Sequence, residues 1–382
     1  MMYIALFRSA ILGVILAISA PAPAQSPGQL IDAQPVVDTP GGMQAWRIRY
    51  WTTGQSDRPI EVTGTVVAPR EAMPRQPRNV IAWAHGTWGV ESRCVASTAD
   101  FFRTTPGLAE AIRRGYVVVA PDYPGLGSAT RHGYLVGDAT ARSVLDAVRA
   151  ARGLPGAASG TNFAVWGESQ GGHAALWTGQ IAGRYAPDLR LIGIAAAAPP
   201  TDLARNVGQA ADPSVRAFLT AFTAYSWSEY YGVPLSTLGN RSTQGIIQRL
   251  AQNNCVALGT SPRVGTILGV LALRRSLRNV DFGRTQPWAR FARDNSPTPR
   301  PAGVPFLIAQ NPADQLVNVD VTRTFVRQLC RNRATVSYVA ITGSGHETSA
   351  ADSKDATLDW IDARFAGQAA PNGCRQFLTG GR

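Results

Sequence analysis

The feature that most constrains the fold of this chain lies at residues 162–176. Residues 163–166 (Phe-Ala-Val-Trp) predict a short buried strand, residues 167–171 read Gly-Glu-Ser-Gln-Gly, and a helix is expected from Gly172 onward. This is the G-x-S-x-G pattern in its strand–turn–helix context, where a strained turn holds the serine hydroxyl clear of the backbone. The helix directs free N–H groups and its positive dipole end toward charge developing there. The pattern therefore predicts that Ser169 is a nucleophile; the alternative is a chance glycine-flanked serine.

Buried strands alternate with helices on both sides of this motif. Apolar segments without alternation predict parallel strands at 79–84, 116–120, 163–166, 191–197, 304–309 and 336–341. Helical spacing predicts helices at 105–114, 137–154, 172–182, 319–330 and 352–365. Two earlier segments, 46–51 and 61–67, alternate apolar and polar residues as half-buried antiparallel strands do. The fold class is therefore α/β, with one doubly wound, mostly parallel sheet.

The alternation stops between residues 199 and 301, where several helices and loops are expected. We therefore predict a core formed by residues 25–198 and 302–382, with residues 199–301 inserted above the carboxyl edge of the sheet. Ligands bind at that edge in open α/β sheets, so the insertion is expected to be a helical cap or lid. The alternative is a peripheral helical appendage.

The first 24 residues have the pattern of a signal peptide. Arg8 provides a positive charge, residues 10–20 are apolar, and residues 22–24 (Ala-Pro-Ala) offer a cleavage site. A membrane anchor is the alternative, but the apolar segment is short and ends in prolines. Residues 264–273 are also apolar but too short to span a bilayer. We expect a secreted or periplasmic protein without stable membrane insertion.

Outside the cytoplasm disulfides persist, and the chain has four cysteines, at positions 94, 255, 330 and 374. Four cysteines allow three pairings, and sequence alone does not choose among them. A Cys330–Cys374 bridge would pin the C-terminus and leave Cys94 to pair with Cys255. The cysteine and histidine spacing does not suggest a metal site, and no cofactor is expected.

The chain is strongly basic, with a formal net charge of +12. Such a balance can indicate a nucleic-acid or anionic-surface partner. However, Lys354 is the one lysine, and the arginines are scattered without a basic run. We therefore expect no nucleic-acid partner, while loose adhesion to anionic envelope surfaces stays open.

A serine nucleophile needs a base to accept its proton. In this arrangement the chain order is Ser…Asp/Glu…His, so the base is expected after Ser169. His346 lies in residues 343–347 (Gly-Ser-Gly-His-Glu), just past a predicted strand, and is the predicted base. His173 is one helical turn past the motif and is expected to pack, and His132 is expected to support a nearby loop.

The acid that orients the base is expected on a loop after a strand. Asp314 follows the predicted strand 304–309 and is the favoured residue. Asp320 is a competitor, but it falls at a helix start, where capping and the helix dipole explain an acidic residue. Asp202 follows another strand end and is a weaker alternative.

Two backbone N–H groups should form the oxyanion hole. One belongs to Gln170, directly after the nucleophile. The other is expected in the loop after strand 79–84, where Gly86 permits a tight turn and Thr87, or else Trp88, donates. His85 is then expected to hold this loop.

Aromatic residues suggest where a substrate pocket would lie. Trp88 follows the oxyanion loop, and Tyr225 and Trp227 belong to an aromatic cluster in the insertion. Tyr123 follows a parallel strand and could also reach the site, although a structural role is favoured for it and for Asp122. We count Trp88, Tyr123, Tyr225 and Trp227 as candidate pocket residues.

Together these residues resemble the α/β-hydrolase superfamily and, more narrowly, its secretory lipase family, which has bacterial members. The matching segments are residues 85–87, 121–127, 132–137, 167–171, 312–314 and 345–346. The resemblance implies a serine carboxylester hydrolase with a helical cap, a triad of Ser169, Asp314 and His346, and a bridge from Cys94 to Cys255. Residues 199–301 show no matching motif, so a preference for long acyl chains does not follow.

The first functional hypothesis is an esterase or lipase that cleaves small-molecule or lipid esters through an acyl-enzyme. Peptide or amide hydrolysis, or acyl transfer, by the same triad is the alternative within enzymes. A catalytically silent binding protein on this fold is a third hypothesis, although such a protein would be expected to lack a triad member.

Overall fold

The computed structural model describes residues 25–71, 76–97, 101–209, 212–256, 261–343 and 345–379. The predicted signal peptide, residues 1–24, lies outside this range. Within it nine strands form one sheet in the order β1-β2-β3-β5-β4-β6-β7-β8-β9. The strands are β1 (Leu30–Pro35), β2 (Met43–Thr53), β3 (Pro59–Pro69), β4 (Arg78–Ala84), β5 (Val117–Pro121), β6 (Ser159–Glu168), β7 (Arg190–Ala197), β8 (Phe306–Gln310) and β9 (Val336–Ala340).

The sheet changes from antiparallel to parallel along its width. Strands β1, β2 and β3 pair antiparallel, and β3 also pairs antiparallel with β5. From β5 through β4, β6, β7 and β8 to β9 every pairing is parallel. This confirms the predicted mostly parallel α/β sheet. The antiparallel side has one strand more than expected, because the edge strand β1 (Leu-Ile-Asp-Ala-Gln-Pro) lacks a clear apolar alternation.

Thirteen helices accompany the sheet in the described residues. The helix predicted at 105–114 is present as Leu108–Arg113 and begins three residues later than expected, because its N-cap residue Gly107 adopts a left-handed φ of +65°. A separate short helix, Phe101–Thr104, precedes it. The helices are α1 (Phe101–Thr104), α2 (Leu108–Arg113), α3 (Gly137–Arg152), α4 (Gln170–Tyr185), α5 (Leu203–Gln209), α6 (Pro213–Tyr231), α7 (Arg241–Asn253), α8 (Val264–Ser276), α9 (Trp288–Asn295), α10 (Val319–Arg331), α11 (Ser349–Asp352), α12 (Lys354–Phe365) and α13 (Cys374–Thr379).

Apolar side chains bury both faces of the sheet. Residues of α3, α4 and α10 pack on one face, and residues of α2 and α12 pack on the other. Helices α5–α9, which we call the cap helices, have a separate apolar cluster centred on Phe222, Trp227 and Trp288. The connection between β7 and β8 is thus a helical unit, and its apolar cluster also includes Val90 and residues 134–136 from the neighbouring segments.

Two disulfides join distant parts of the chain. Cys94, in the segment after β4, is bonded to Cys255, just after α7. Next to this bridge the N–H of Val256 donates to the carbonyl of Trp88 at 2.8 Å. Cys330, in α10, is bonded to Cys374 at the start of α13. The first bridge ties the cap helices to the edge of the sheet, and the second holds the C-terminus.

Candidate active site

Ser169 stands between the end of β6 and the start of α4. Its φ of 53° and ψ of −118° are strained for a residue with a side chain. The flanking glycines are required by close backbone contacts. A Cβ on Gly167 would lie 2.1 Å from the carbonyl oxygen of Gly171, and one on Gly171 would lie 1.8 Å from that of Ala84. The turn therefore has the tight geometry that the G-x-S-x-G pattern predicts.

The structure brings together the three residues predicted to form a triad. The hydroxyl of Ser169 lies 2.8 Å from Nε2 of His346, and Nδ1 of His346 lies 2.8 Å from Oδ2 of Asp314. With Nδ1–H donating to the carboxylate, Nε2 is free to accept the serine proton. The three side chains come from the ends of β6, β8 and β9, so the parallel sheet itself produces the arrangement.

Both oxygens of Asp314 are held by other donors. Oδ2 also accepts from Nε2 of Gln310 at 2.9 Å, and Oδ1 accepts from the N–H groups of Leu316 and Val317 at 2.8 and 2.9 Å. The loop bearing the base is tied to the loop bearing the acid, because Asn311 donates to the carbonyl of Gly343. The carboxylate is therefore fixed in position before any substrate arrives.

The two rival acids have other local roles. Asp202 accepts the N–H of Arg205 at 3.0 Å at the start of α5, and Asp320 is exposed in the first turn of α10. The hydrogen bond of His346 goes to Asp314. The geometry therefore favours Asp314 as the orienting acid.

Glu168 is a second carboxylate near His346, and no sequence pattern indicated its role. Glu168 accepts the N–H of Ala350 at 2.7 Å and thereby joins the end of β6 to the segment after His346. Burial raises the pKa of Glu168 to about 7, against the hydrogen bond from Ala350. Burial also acts to lower the pKa of His346, but the hydrogen bond and charge of Asp314, with a contribution from Glu168, raise it above its usual value.

The predicted oxyanion loop lies next to the nucleophile. A Cβ on Gly86 would be 3.8 Å from the Cβ of Ser169, and the N–H of Gln170 begins helix α4. Thr87 faces the same cavity as Ser169, and its hydroxyl lies 2.9 Å from that of Tyr134. The assignment of the Gln170 and Thr87 N–H groups as oxyanion donors stays a prediction.

His132 supports Gln170. Its Nδ1–H donates to the carbonyl of Pro124 at 2.8 Å, so its Nε2 accepts from the side-chain amide of Gln170 at 3.2 Å. Burial lowers the pKa of His132 to about 4, and the ring is therefore neutral at physiological pH. The sequence predicted that His132 supports a loop but did not identify its partner, because His132 and Gln170 are 38 residues apart in the chain.

Helix α6 of the cap holds the segment from His132 to Tyr134. The hydroxyl of Ser226 donates to the carbonyl of His132 at 2.5 Å and accepts the N–H of Tyr134 at 2.8 Å. The indole N–H of Trp227 donates to the carbonyl of Tyr134 at 2.8 Å. The cap thus positions residues that contact Thr87 and Gln170, although it carries none of the triad.

A cavity of about 590 Å³ lies between the sheet edge and the cap helices. Ser169 and His346 contribute its polar part, together with Thr87, Gln170 and Glu168. The cap contributes mainly apolar side chains, among them Leu203, Val207, Phe218, Leu219, Val270 and Leu271. The reacting groups therefore open into a space suited to an apolar ligand.

Of the four candidate pocket residues, Trp88 lines this cavity and the other three do not. Tyr123 is fully buried and donates its hydroxyl to the carbonyl of His85 at 2.9 Å. Trp227 is buried in the core of the cap, and Tyr225 lines a separate, smaller cavity of about 210 Å³. The prediction was wrong for Tyr225 and Trp227 because an aromatic cluster in sequence does not distinguish core residues from pocket residues. It was wrong for Tyr123 because a position after a strand does not fix which way the side chain points.

The remaining buried polar residues after the strands have structural roles. Asp122 accepts from the N–H and hydroxyl of Ser97 and from the hydroxyl of Thr63. Nδ1–H of His85 donates to the carbonyl of Gly86 at 2.7 Å, and His173 contacts the carbonyl oxygen of Asn295 at 2.7 Å. In the part of the chain that is described, no three His, Cys, Asp or Glu residues converge as a metal site requires.

Sequence comparisons point to one family. The sequence model of the family described as "Secretory lipase" matches residues 96–373. "Lipase 10" of Candida albicans is 24% identical over 358 residues, covering 87% of this chain and 75% of that protein. A Mycobacterium tuberculosis protein named a probable inactive lipase is 25% identical, covering 86% of this chain and 75% of its own length.

Solved structures agree on the fold. Candida antarctica lipase A superposes with a TM-score of 0.72 at 18% identity, covering 91% of this chain and 84% of that one. The esterase LipA from Xanthomonas oryzae, described as degrading rice cell walls, superposes with a TM-score of 0.71 at 17% identity, covering 90% and 100%. The chain therefore has the α/β-hydrolase fold.

Proposed function

The chain belongs to the secretory lipase family, and on that premise we propose that it is a serine carboxylester hydrolase. The observation that carries the proposal is the continuous chain of hydrogen bonds from Ser169 through His346 to Asp314. A nucleophile, a base and an orienting acid in hydrogen-bond contact are what acyl transfer by serine requires. The strained turn at Ser169 adds support, because such strain is concentrated at functional positions.

In the proposed reaction Oγ of Ser169 attacks the ester carbonyl carbon while its proton passes to Nε2 of His346. Asp314 stabilises the resulting imidazolium through the Nδ1–H bond. The N–H groups of Gln170 and Thr87 would donate to the oxyanion of the tetrahedral intermediate. Collapse of this intermediate breaks the ester C–O bond, and His346 protonates the departing alkoxide.

The second half of the reaction repeats these steps with water. His346 removes a proton from water, which attacks the acyl-enzyme carbonyl, and the carboxylic acid leaves as Ser169 recovers its proton. Apart from the ester and water, these steps use only side chains and backbone groups of this chain. We propose that the acyl group occupies the apolar part of the 590 Å³ cavity, against residues such as Val207 and Leu219.

We further propose that residues 1–24 are a signal peptide and that the mature enzyme is secreted or periplasmic. The name of the matching family and the two disulfides support this location. In the mature chain, residues 25–198 and 302–382 would form the hydrolase core and residues 199–301 the cap. The apolar cluster centred on Phe222, Trp227 and Trp288, which is separate from the two clusters that cover the sheet, supports that division.

The test compares the mature protein with Ser169→Ala on short-chain and long-chain p-nitrophenyl esters. We expect the wild type to release p-nitrophenolate and Ser169→Ala to lose roughly five orders of magnitude or more in kcat. Equal turnover by both proteins would refute a serine mechanism. No turnover by either protein would refute the proposed function and favour a catalytically silent protein on this fold; the mycobacterial relative is named a probable inactive lipase.

A further inference from the structure

Helix α8 exposes an unusual amount of apolar surface. Among the described residues six large apolar side chains are exposed, and four of them lie on this helix: Val264, Ile267, Leu268 and Leu271. Their spacing of three and four residues puts them on one face, while Val270 and Leu273 point inward to the cap core. Val264 is 72% exposed and Leu268 is 61% exposed, so the described part of the chain leaves this face uncovered.

The same face borders the catalytic cavity. Ile267 and Leu271 belong both to the exposed surface and to the lining of the cavity that contains Ser169. A molecule that rests on α8 would therefore meet the cavity directly. Apolar surface continuous with a binding cavity favours a ligand that is itself presented at an apolar surface.

Arginines frame this apolar face. Arg263 directly precedes α8, Arg274 and Arg275 occupy its last turn, and Arg278 follows shortly after. No acidic residue occurs between 263 and 278. Residues 199–301 carry twelve arginines and five acidic residues, which gives them a net charge of +7. This is more than half of the net charge of +11 that the chain has without residues 1–24.

We propose that α8 is a docking helix that places the cavity on an anionic lipid–water interface. An amphipathic helix with leucines on one face and arginines around it binds in the plane of such an interface through apolar burial and charge attraction. A second copy of the chain is a poorer occupant, because a symmetric contact through this face would bring arginines against arginines. The proposal extends the proposed function to the surface on which it acts.

The test uses the mature chain carrying Ser169→Ala, so that binding is measured without hydrolysis. Cosedimentation is compared for vesicles of phosphatidylcholine alone and of phosphatidylcholine with an equal part of phosphatidylglycerol. We expect clear preference for the mixed vesicles, and weaker binding as salt is raised. Equal binding to both vesicles, or no binding to either, overturns the proposal.

Two double variants separate the apolar and charged contributions. Val264→Gln with Leu268→Gln should weaken binding roughly tenfold or more, because two apolar side chains no longer enter the interface. Arg275→Gln with Arg278→Gln should weaken it about fivefold for each arginine removed. Unchanged binding by both double variants overturns the proposal, as does gel filtration showing a dimer that Val264→Gln with Leu268→Gln dissociates.

Matched controls lie away from α8. Val37→Gln removes an exposed valine between β1 and β2, and Arg184→Gln with Arg190→Gln removes two exposed arginines near the amino end of β7. We expect both controls to bind like the parent protein. With Ser169 restored, the α8 variants should hydrolyse a soluble short-chain ester at the wild-type rate. If the wild type does not hydrolyse the ester, the proposed function is refuted, but the docking of α8 on anionic vesicles is not.

Discussion

The sheet edge and the cap helices line the same cavity but are built differently. At the sheet edge, Ser169, His346 and Asp314 are fixed by hydrogen bonds at 2.8 Å, and Asp314 accepts three further donors. The cap instead contributes mainly apolar side chains and an exposed apolar helix. Directional bonds hold reacting atoms in one geometry, whereas apolar contacts tolerate changes of shape. The difference suggests that the sheet edge sets the chemistry and the cap sets which esters reach it.

One of the contacts between the two regions couples the cap to the predicted oxyanion groups. Ser226 and Trp227 of the cap hold the segment from His132 to Tyr134, which in turn contacts Thr87 and Gln170. Substitutions on either side of this contact therefore test how far the sheet edge and the cap act independently.

The largest effect should come from the acid at the sheet edge. Asp314→Asn removes the charge that stabilises the imidazolium and favours the wrong tautomer of His346, so we expect kcat/KM to fall roughly ten-thousand-fold with little change in Tm. Asp122→Asn is the matched control, since Asp122 is equally buried but bonds Ser97 and Thr63. It should lower Tm and keep kcat/KM within about tenfold. A loss below tenfold for Asp314→Asn would contradict the assigned role.

The next effect should come from the cap itself. Ser226→Ala leaves the N–H of Tyr134 without its partner and releases the carbonyl of His132. We expect kcat to fall about tenfold to a hundredfold, because the support of the oxyanion loop loosens. Ser228→Ala on the same helix is the control and should keep wild-type kcat. Wild-type kcat in Ser226→Ala would mean that the cap affects substrate access alone.

A smaller and selective effect is expected inside the cavity. Val270→Trp fills part of the apolar space contributed by α8. The kcat/KM for a long-chain p-nitrophenyl ester should fall about tenfold more than for a short-chain ester, because only the longer acyl group reaches the blocked region. A chain-length series measures this directly. An equal loss for both esters would indicate damage to the sheet edge and not to acyl binding.

The smallest effect concerns pH. Glu168→Gln removes a negative charge that helps to raise the pKa of His346, which also faces Asp314 and Glu347. The acid limb of the kcat/KM profile should therefore move to lower pH, with kcat reduced about threefold to tenfold. Glu61→Gln, on strand β3 where Glu61 pairs with Arg49, is the control and should leave the profile unchanged. An acid limb that moves to higher pH would contradict the electrostatic argument.

Glu168→Gln should also change how the free energy of unfolding depends on pH. The direction is opposite to that expected for an acid held in an ion pair, whose pKa is lowered by folding. The pKa of Glu168 is raised to about 7 in the folded protein, above the ordinary value of about 4.3 for glutamate. The wild type therefore loses stability as pH rises from near the ordinary value through 7, and the glutamine variant does not. In urea unfolding, the free energy of unfolding of Glu168→Gln should rise relative to that of the wild type as pH increases from about 4 to 7. A constant difference across this range would contradict the prediction.

The residues of the sheet edge were predictable from sequence because local patterns determine them. The glycine-flanked serine follows a strand, and the acid and base lie in loops that follow other parallel strands. The carboxyl ends of parallel strands share one edge of the sheet, so these side chains are expected there. The contacts of Glu168 with Ala350 and of His132 with Gln170 were not predictable in this way. They join segments 182 and 38 residues apart through groups that lack a distinctive local pattern.

The cap was less predictable for a different reason. Tyr225 and Trp227 were expected to line the pocket, yet Trp227 lies in the core of the cap and Tyr225 faces another cavity. Helix α8 was noted only as an apolar segment too short to span a bilayer. Apolar composition shows that a residue avoids water but not which neighbour covers it, and that depends on tertiary packing.

Covalent trapping tests most directly whether Ser169 is a nucleophile activated by His346. A p-nitrophenyl phosphonate should release a stoichiometric burst of p-nitrophenolate and leave the phosphonyl group on the peptide that contains Ser169, as mass spectrometry would detect. The rate should fall by orders of magnitude in His346→Ala, because the base that activates Ser169 is absent. Labelling of a different residue, or wild-type labelling of Ser169 in His346→Ala, would contradict the account.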